Sequence, residues 1–308
     1  VSELVAEWLR DLARIRRAPR TIARAHAAHL TFLPWLEARV GASPTVKDLS
    51  RSVVEAWDRE QVARGNSAST RRVSNWAVMA AWRWGWDHDD WRLGMAPPAT
   101  PRMPSVERRL VVAATWEQMD GVLALASERK PEWVRRAVIL LRGLGWRMAQ
   151  ILALEWPDVD LEAGRLRLRG ELGKSSAERS GRVVPMAPWL TAELGRWIPR
   201  TGRLVGVVQM HADAASAHLS DLWRELGVPA EVWDRRPAHA FRAGLISELA
   251  RARVDREAVE HYVGHAPVGV RAAYVDPMAL ALEEVAAAIP APGVRGVSVS
   301  RRSGTGGP

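Results

Sequence analysis

Met95 to Pro104 (MAPPATPRMP) carries four prolines in ten residues, and this stretch constrains the chain more than any other. Each proline fixes φ and removes a backbone donor, so neither a helix nor a strand ladder is expected to continue through it. The chain is therefore expected to fold as two bodies, with residues 1–95 in the first and 96–104 as linker. Residues 105–290 form the second body, and 291–308 read as a disordered Gly/Ser/Arg tail whose Arg295, Arg301 and Arg302 are loose phosphate contacts. At 308 residues, each body is long enough to bury its own core.

The first body is helical by its periodicity. Residues 2–16 place Leu4, Val5, Trp8, Leu9, Leu12 and Ile15 on one face. Pro19 breaks that helix, and Thr21 is expected to cap a second one through His29, Leu33 and Leu36. GASPT (41–45) reads as a turn, and 48–63 as a third helix around Leu49, Val53, Val54, Trp57 and Val62. Ser67 to Thr70 open a fourth, with Val73, Trp76, Ala77, Ala80, Ala81 and Trp84 on its face. Arg71 and Arg72 stand near its start, where a helix welcomes phosphate, and are taken as phosphate-binding candidates. The run WRWGWDHDDW (82–91) is read as a helix end packing its tryptophans inward, since Asp87, Asp89 and Asp90 repel a nucleic-acid backbone.

The second body changes period. Thr115-Trp-Glu-Gln118 fits a capping box, and 132–144 carry Trp133, Ala137, Leu140, Leu141 and Leu144 along one face. Gly143 and Gly145 end that helix, and Arg147 follows ahead of a short helix through Ile151, Leu152 and Leu154. From Asp158 the apolar positions alternate: 164–170 and 181–186 read as two strands of a hairpin whose polar tip carries Lys174. Residues 188–198, 211–227 and 277–289 return to helix. The whole reads as mainly α with a small antiparallel β-hairpin.

Composition narrows the partners. Formal net charge is +9 and the sequence pI about 11.0, which favours an anionic partner but leaves DNA, RNA and acidic protein open. No apolar run approaches the ~18 residues that span a bilayer. The chain has no cysteine, so disulfides and thiolate metal sites are unavailable, and the cytoplasm is expected.

Residues 237–276 concentrate reactive types: His239 and Arg242 three apart on one helix face, Gly264-His265, and Tyr274 nine residues beyond that histidine. Breaking a phosphodiester with a side chain needs a nucleophile, cations on the non-bridging oxygens, and a proton donor for the leaving oxygen. Tyr274 can be the nucleophile if a base or positive field assists it, since a phenol of pKa ~10 is scarcely ionised at neutral pH. Arg147 and Arg242 can clamp the phosphate. Lys174 is one of three lysines in an arginine-dominated chain, and a lysine can donate a proton where an arginine cannot. Each residue has a plain reading when taken singly. A lone tyrosine usually packs, as Tyr262 does between Val259 and Val263. His261 and His265 lack an acidic or thiolate partner at metal-binding spacing, so no metal or other cofactor is expected.

In combination, these residues resemble the tyrosine recombinase (phage integrase) family in its Xer-like two-domain form. GWRMAQILALEW (145–156) is similar to the family's first-arginine motif, with Arg147 at the arginine. Lys174 followed by RVVPM resembles the family's lysine and the strand after it. HAFR resembles the His-x-x-Arg box, Gly264-His265 the second histidine, and Tyr274 the nucleophile. The N-terminal half is similar to the family's SAM-like core-binding domain, with ASTRR (68–72) at the expected place. Gln150 stands where the family usually has Glu or Asp, Ala149 where Ser is common, and Ala243 where a polar residue is frequent.

The resemblance implies a site-specific recombinase in which Tyr274 forms a 3′-phosphotyrosine and frees a 5′-hydroxyl, without ATP or metal. Arg147, His239, Arg242 and His265 would stabilise the phosphate, and Lys174 would protonate the leaving oxygen. The partners implied are double-stranded DNA at the nucleoid and further copies of the chain, assembled as a tetramer on two sites. Helix 277–289 would dock on a neighbour. The expected form is a simple two-domain recombinase without an added arm-site reader. The rival readings are a type IB topoisomerase-like enzyme, a weakened DNA-binding member of the same family, and an unrelated helical regulator. The last leaves Arg147, Lys174 and the Tyr274 spacing unexplained.

Overall fold

The computed structural model describes residues 1–88, 112–170, 181–198, 200–206, 212–234, 236–265 and 280–293. It divides into two compact units, Val1–Arg109 and Leu110–Pro308. The proline-rich segment 96–104, Lys174, Tyr274 and the tail arginines lie outside the described residues.

The first unit contains α1 (Ser2–Arg14), α2 (Pro19–Val40), α3 (Arg51–Ala63) and α4 (Ala68–Trp86). Phe32, Leu36, Val54, Trp57 and Trp82 pack into one apolar cluster, and Val5, Trp8, Ala25, Ala77 and Ala81 into another. Several sequence expectations shift here. Pro19 opens α2 instead of ending α1; Ala18 is the N-cap and Thr21 is inside the helix. Proline suits the first turn because its missing N–H would have no intrahelical partner there. The third helix starts at Arg51, where Ser50 accepts from the Val53 N–H, after a 3-10 turn over Val46–Asp48. Ile15, Val62 and Trp76 are 46%, 52% and 44% exposed, so those helix faces are narrower than the periodicity indicates. Of the tryptophan run, Trp82 is buried, Trp84 donates to Asp11 and stacks on His88, and Trp86 is exposed.

His29 is a buried titratable group in this unit. It is 2% exposed, with Nε2 3.2 Å from the Ala77 carbonyl and its ring edge-on to Trp8 and Phe32. Burial lowers its pKa from the ordinary 6.5 to about 4, against the opposing pull of the Ala77 carbonyl. The unfolded chain therefore takes up this proton first as pH falls. Stability is unaffected above about 6.5 and declines toward pH 4 by about 3 kcal/mol. Denaturant titrations are expected to show this decline, and His29→Gln, which keeps a donor for Ala77, is expected to make it shallower over that interval.

In the second unit, α5 (Trp116–Arg129) and α6 (Glu132–Leu144) pack together, and α7 (Met148–Ala153) follows. The capping box opening α5 is present: Gln118 accepts from the Thr115 N–H at 3.0 Å and Thr115 from the Gln118 N–H at 3.3 Å. The expected hairpin is two strands of a three-stranded antiparallel sheet. A short β1 (Val159–Asp160) joins β2 (Arg165–Leu168) and β3 (Arg182–Pro185) in the order β1-β2-β3. Leu166, Leu168 and Val184 face the core, while Arg165, Arg167 and Val183 face out, as period-two strands require.

The remaining helices are α8 (Pro188–Gly195), α9 (Ala212–Glu225), α10 (Ala230–Trp233), α11 (Pro237–Arg251), α12 (Arg256–Val263) and α13 (Leu282–Ala287). The core of this unit gathers Leu140, Leu141, Trp146, Leu166, Trp223, Phe241, Leu245 and Val263. The C-terminal helix is shorter than the expected 277–289. It packs on α12 and β3 of its own chain, burying Val285, Ala286 and Ile289. Arg142, fully buried on α6, holds the chain after it: Nη2 donates to the Pro290 carbonyl at 3.1 Å and Nε to Asp120 at 2.8 Å. Asp120 accepts from the Gly293 N–H, and the Trp189 indole donates to the Ile289 carbonyl. Among the described residues, no helix is long and apolar enough to cross a membrane.

Candidate active site

Three backbone turns bring the candidate residues together. The first follows α6, where Gly145 takes the left-handed conformation (φ 61°) and returns its N–H to the Leu141 carbonyl. A Cβ here would lie 3.3 Å from the Val263 side chain, so glycine serves both the turn and the close approach of α12. Trp146 is then buried completely, its indole donating to the Tyr262 carbonyl at 2.8 Å. Arg147 comes next, as the residue that caps α7. Its N–H donates to Gln150 Oε1 at 3.1 Å, and Gln150 is only 2% exposed. Gln150 therefore supplies the hydrogen bond that holds the helix start, without a negative charge.

The second turn opens α11. Pro237 stands in its first turn, and the buried Trp223 indole donates to the Pro237 carbonyl. Phe241, Leu245 and Leu249 are buried in the core, which fixes the rotation of the helix. Gly244 faces α5 so closely that a Cβ would stand 2.7 Å from the Ala114 carbonyl oxygen; the position admits no side chain. His239 is left exposed at the surface of the site, and Arg242 is 1% exposed beneath it.

The third turn ends α12. Gly264 is again left-handed (φ 78°), and its N–H and that of His265 return to the last turn of the helix. His265 emerges exposed.

Arg242 ties the three turns together. Its Nη1 donates to the Gly145 carbonyl at 3.0 Å and to the Val263 carbonyl at 2.5 Å, and its Nε donates to His265 Nε2 at 3.3 Å. These acceptors are neutral, so they orient the guanidinium and leave its charge in place. Because His265 Nε2 accepts, its ring proton is assigned to Nδ1. Although His239 reaches solvent, it is partly enclosed, and this partial desolvation, followed by the charges of Arg242, Arg236, His265 and Arg147, lowers its pKa below 6.5. It is thus a neutral imidazole at pH 7, able to accept a proton. The arrangement is a pocket of fixed cations with a neutral base at its edge, suited to an anion that gains charge during reaction.

Arg147, His239, Arg242 and His265 are brought together; Lys174 and Tyr274, as noted, lie outside the described residues. Arg71 and Arg72 belong to the other unit. Arg71 is engaged in a two-point ion pair with Asp58 (3.0 and 2.5 Å), which Asn75 also contacts, while Arg72 is exposed. Sequence reasoning passed over two contributors: Trp146, and Arg182 at the start of β3. Their only signals are an aromatic residue between Gly145 and Arg147 and an arginine where the second strand begins.

Residues 115–279 match the phage integrase family as a profile. Tyrosine recombinase XerC of Rhodospirillum centenum is 25% identical over 293 residues, covering 89% of this chain and 83% of the relative. Tyrosine recombinase XerD of Mycobacterium tuberculosis is 30% identical over 200 residues, covering 60% of this chain and 62% of the relative. A lambda integrase tetramer bound to a Holliday junction superposes with a TM-score of 0.69 at 15% identity, covering 90% of this chain and 78% of that one. Fold and relatives together define the class as that of the tyrosine recombinases, which are enzymes. The chain belongs to the phage integrase family.

Proposed function

We propose that the chain is a site-specific DNA recombinase that cuts and rejoins duplex DNA through a 3′-phosphotyrosine. The observation that carries this reading is Arg242, buried and bound at once to the carbonyl two residues before Arg147 and to His265. A guanidinium fixed in this way is preorganised to receive a phosphate.

Tyr274 is the nucleophile. Its oxygen bonds to the scissile phosphorus, its proton passes to neutral His239, and the 5′-oxygen departs with a proton from Lys174. Arg147 and Arg242 hold the non-bridging oxygens, and His265 donates through Nδ1. One phosphoester replaces another, so the bond energy is retained and ATP is not consumed. Rejoining is the same step reversed with a new 5′-hydroxyl. Arg72 offers an exposed phosphate contact in the N-terminal unit, with Arg71 braced on Asp58 beside it. Strand exchange places four protomers on two sites.

The test is covalent trapping on nicked duplex fragments, followed by peptide mapping of the linked residue and sequencing of the captured ends. Linkage at Tyr274 with free 5′-hydroxyl ends supports the reading; linkage elsewhere overturns it. Two-site exchange without relaxation of a one-site supercoiled plasmid separates recombination from topoisomerase action.

A further inference from the structure

We infer that Arg182, the first residue of β3, is a positioning residue that clamps the end of α12 so that His265 and Arg242 keep their shared geometry. The inference rests on the reading of the Arg147–His239–Arg242–His265 cluster as a phosphate site.

Arg182 touches the flank of both halves of that cluster. Its guanidinium carbon lies 4.9 Å from the ring centroid of Trp146, the residue between Gly145 and Arg147. Its Nη2 donates to the Val263 carbonyl at 3.3 Å, the same oxygen that receives Arg242 Nη1. A carbonyl oxygen has two lone pairs and can serve both donors. This oxygen also belongs to the C-terminal turn of α12, where the helix leaves carbonyls without intrahelical donors and favours cations.

Gly264 follows directly, and a Cβ on it would fall within the Arg182 guanidinium. Arg182 is therefore flush against the backbone that turns into His265. The 3.3 Å bond from Arg242 to His265 is already long, so a small shift of this turn would break it. The role suits arginine: one planar group stacks on an indole and directs a donor edge-on to a carbonyl, which an ammonium cannot do together.

The full chain carrying Arg182→Gln or Arg182→Lys is compared with wild type by three measurements. Nitrogen NMR of His265 Nε2 and Arg242 Nε–H reads their hydrogen bond without DNA. Single-turnover covalent trapping reads the chemistry, and equilibrium binding of a nicked duplex reads affinity. Arg182→Gln is expected to lose the His265–Arg242 signal and to slow trapping roughly tenfold to a hundredfold, with binding within about twofold. Arg182→Lys is expected to recover part of both. His261, whose pKa is lowered by burial and by Arg182, is expected to titrate higher in the Gln variant.

A Gln variant with the His265–Arg242 signal and the trapping rate intact overturns the role. If that variant does not fold, Arg182→Lys decides by the same signal: weakened supports the role, unchanged overturns it. If wild type traps no DNA, the phosphate reading fails, while the NMR comparison still settles whether Arg182 holds His265.

Discussion

Tyr274→Phe is expected to abolish covalent capture of DNA while leaving binding within about twofold. The substitution removes one oxygen and no charge at neutral pH, so affinity for DNA is expected to change little. A site that stabilises the transition state without a nucleophile has no covalent bond to form, and accumulation of the linked species should fall by at least about 10³. Denaturing gels of labelled nicked duplex measure it directly. A Phe variant that still became linked would move the nucleophile elsewhere and remove the basis for the recombinase reading.

Arg242→Lys is expected to be nearly as severe and to carry a second signature. Lysine keeps the charge, yet one nitrogen cannot reach Gly145, Val263 and His265 from three directions. Transition-state stabilisation should drop by about 10²–10³ in trapping rate, the scale for losing a preorganised donor. The same change leaves the Gly145 and Val263 carbonyls poorly satisfied beside a buried ammonium, destabilising the chain by about 2–3 kcal/mol. Trapping kinetics and denaturant titration on one preparation check both. Full trapping activity in a destabilised variant would show Arg242 to be scaffold alone.

Much of this site was visible in the residues. The left-handed Gly145 and Gly264 were legible because a glycine after an apolar helical face marks a stop, after which the chain changes direction. The Thr115–Gln118 box and the alternation of β2 and β3 were equally local. What stayed hidden depended on contacts through space. Arg71 looked like a phosphate contact at a helix start, but Asp58, thirteen residues away, takes its fork. Trp76 fits the apolar period of α4 and yet is 44% exposed, because α4 meets its neighbours over a narrower arc. Pro19 read as a stop because proline interrupts helices, and the same property also lets it begin one. Arg182 carried no signal beyond its place at the head of the second strand; only the approach of α12 gives it a carbonyl to hold.

Gln150 shows what a departure from a motif can preserve. The usual acid at that position would accept from the Arg147 N–H, and the amide oxygen does so equally. The hydrogen bond is made by a neutral amide, so this position adds no negative charge.

The segment after α13 is fastened by side chains of the body acting on its main chain: Arg142 on the Pro290 carbonyl, Trp189 on the Ile289 carbonyl, and Asp120 on the Gly293 amide. A fastening that recognises only the peptide unit places no hydrogen-bonding demand on the side chains displayed at 290–292, whereas Gly293, at φ 79°, must stay glycine for its amide to reach Asp120. The three positions before Gly293 can therefore diverge between lineages while the chain after α13 stays tethered at the same point.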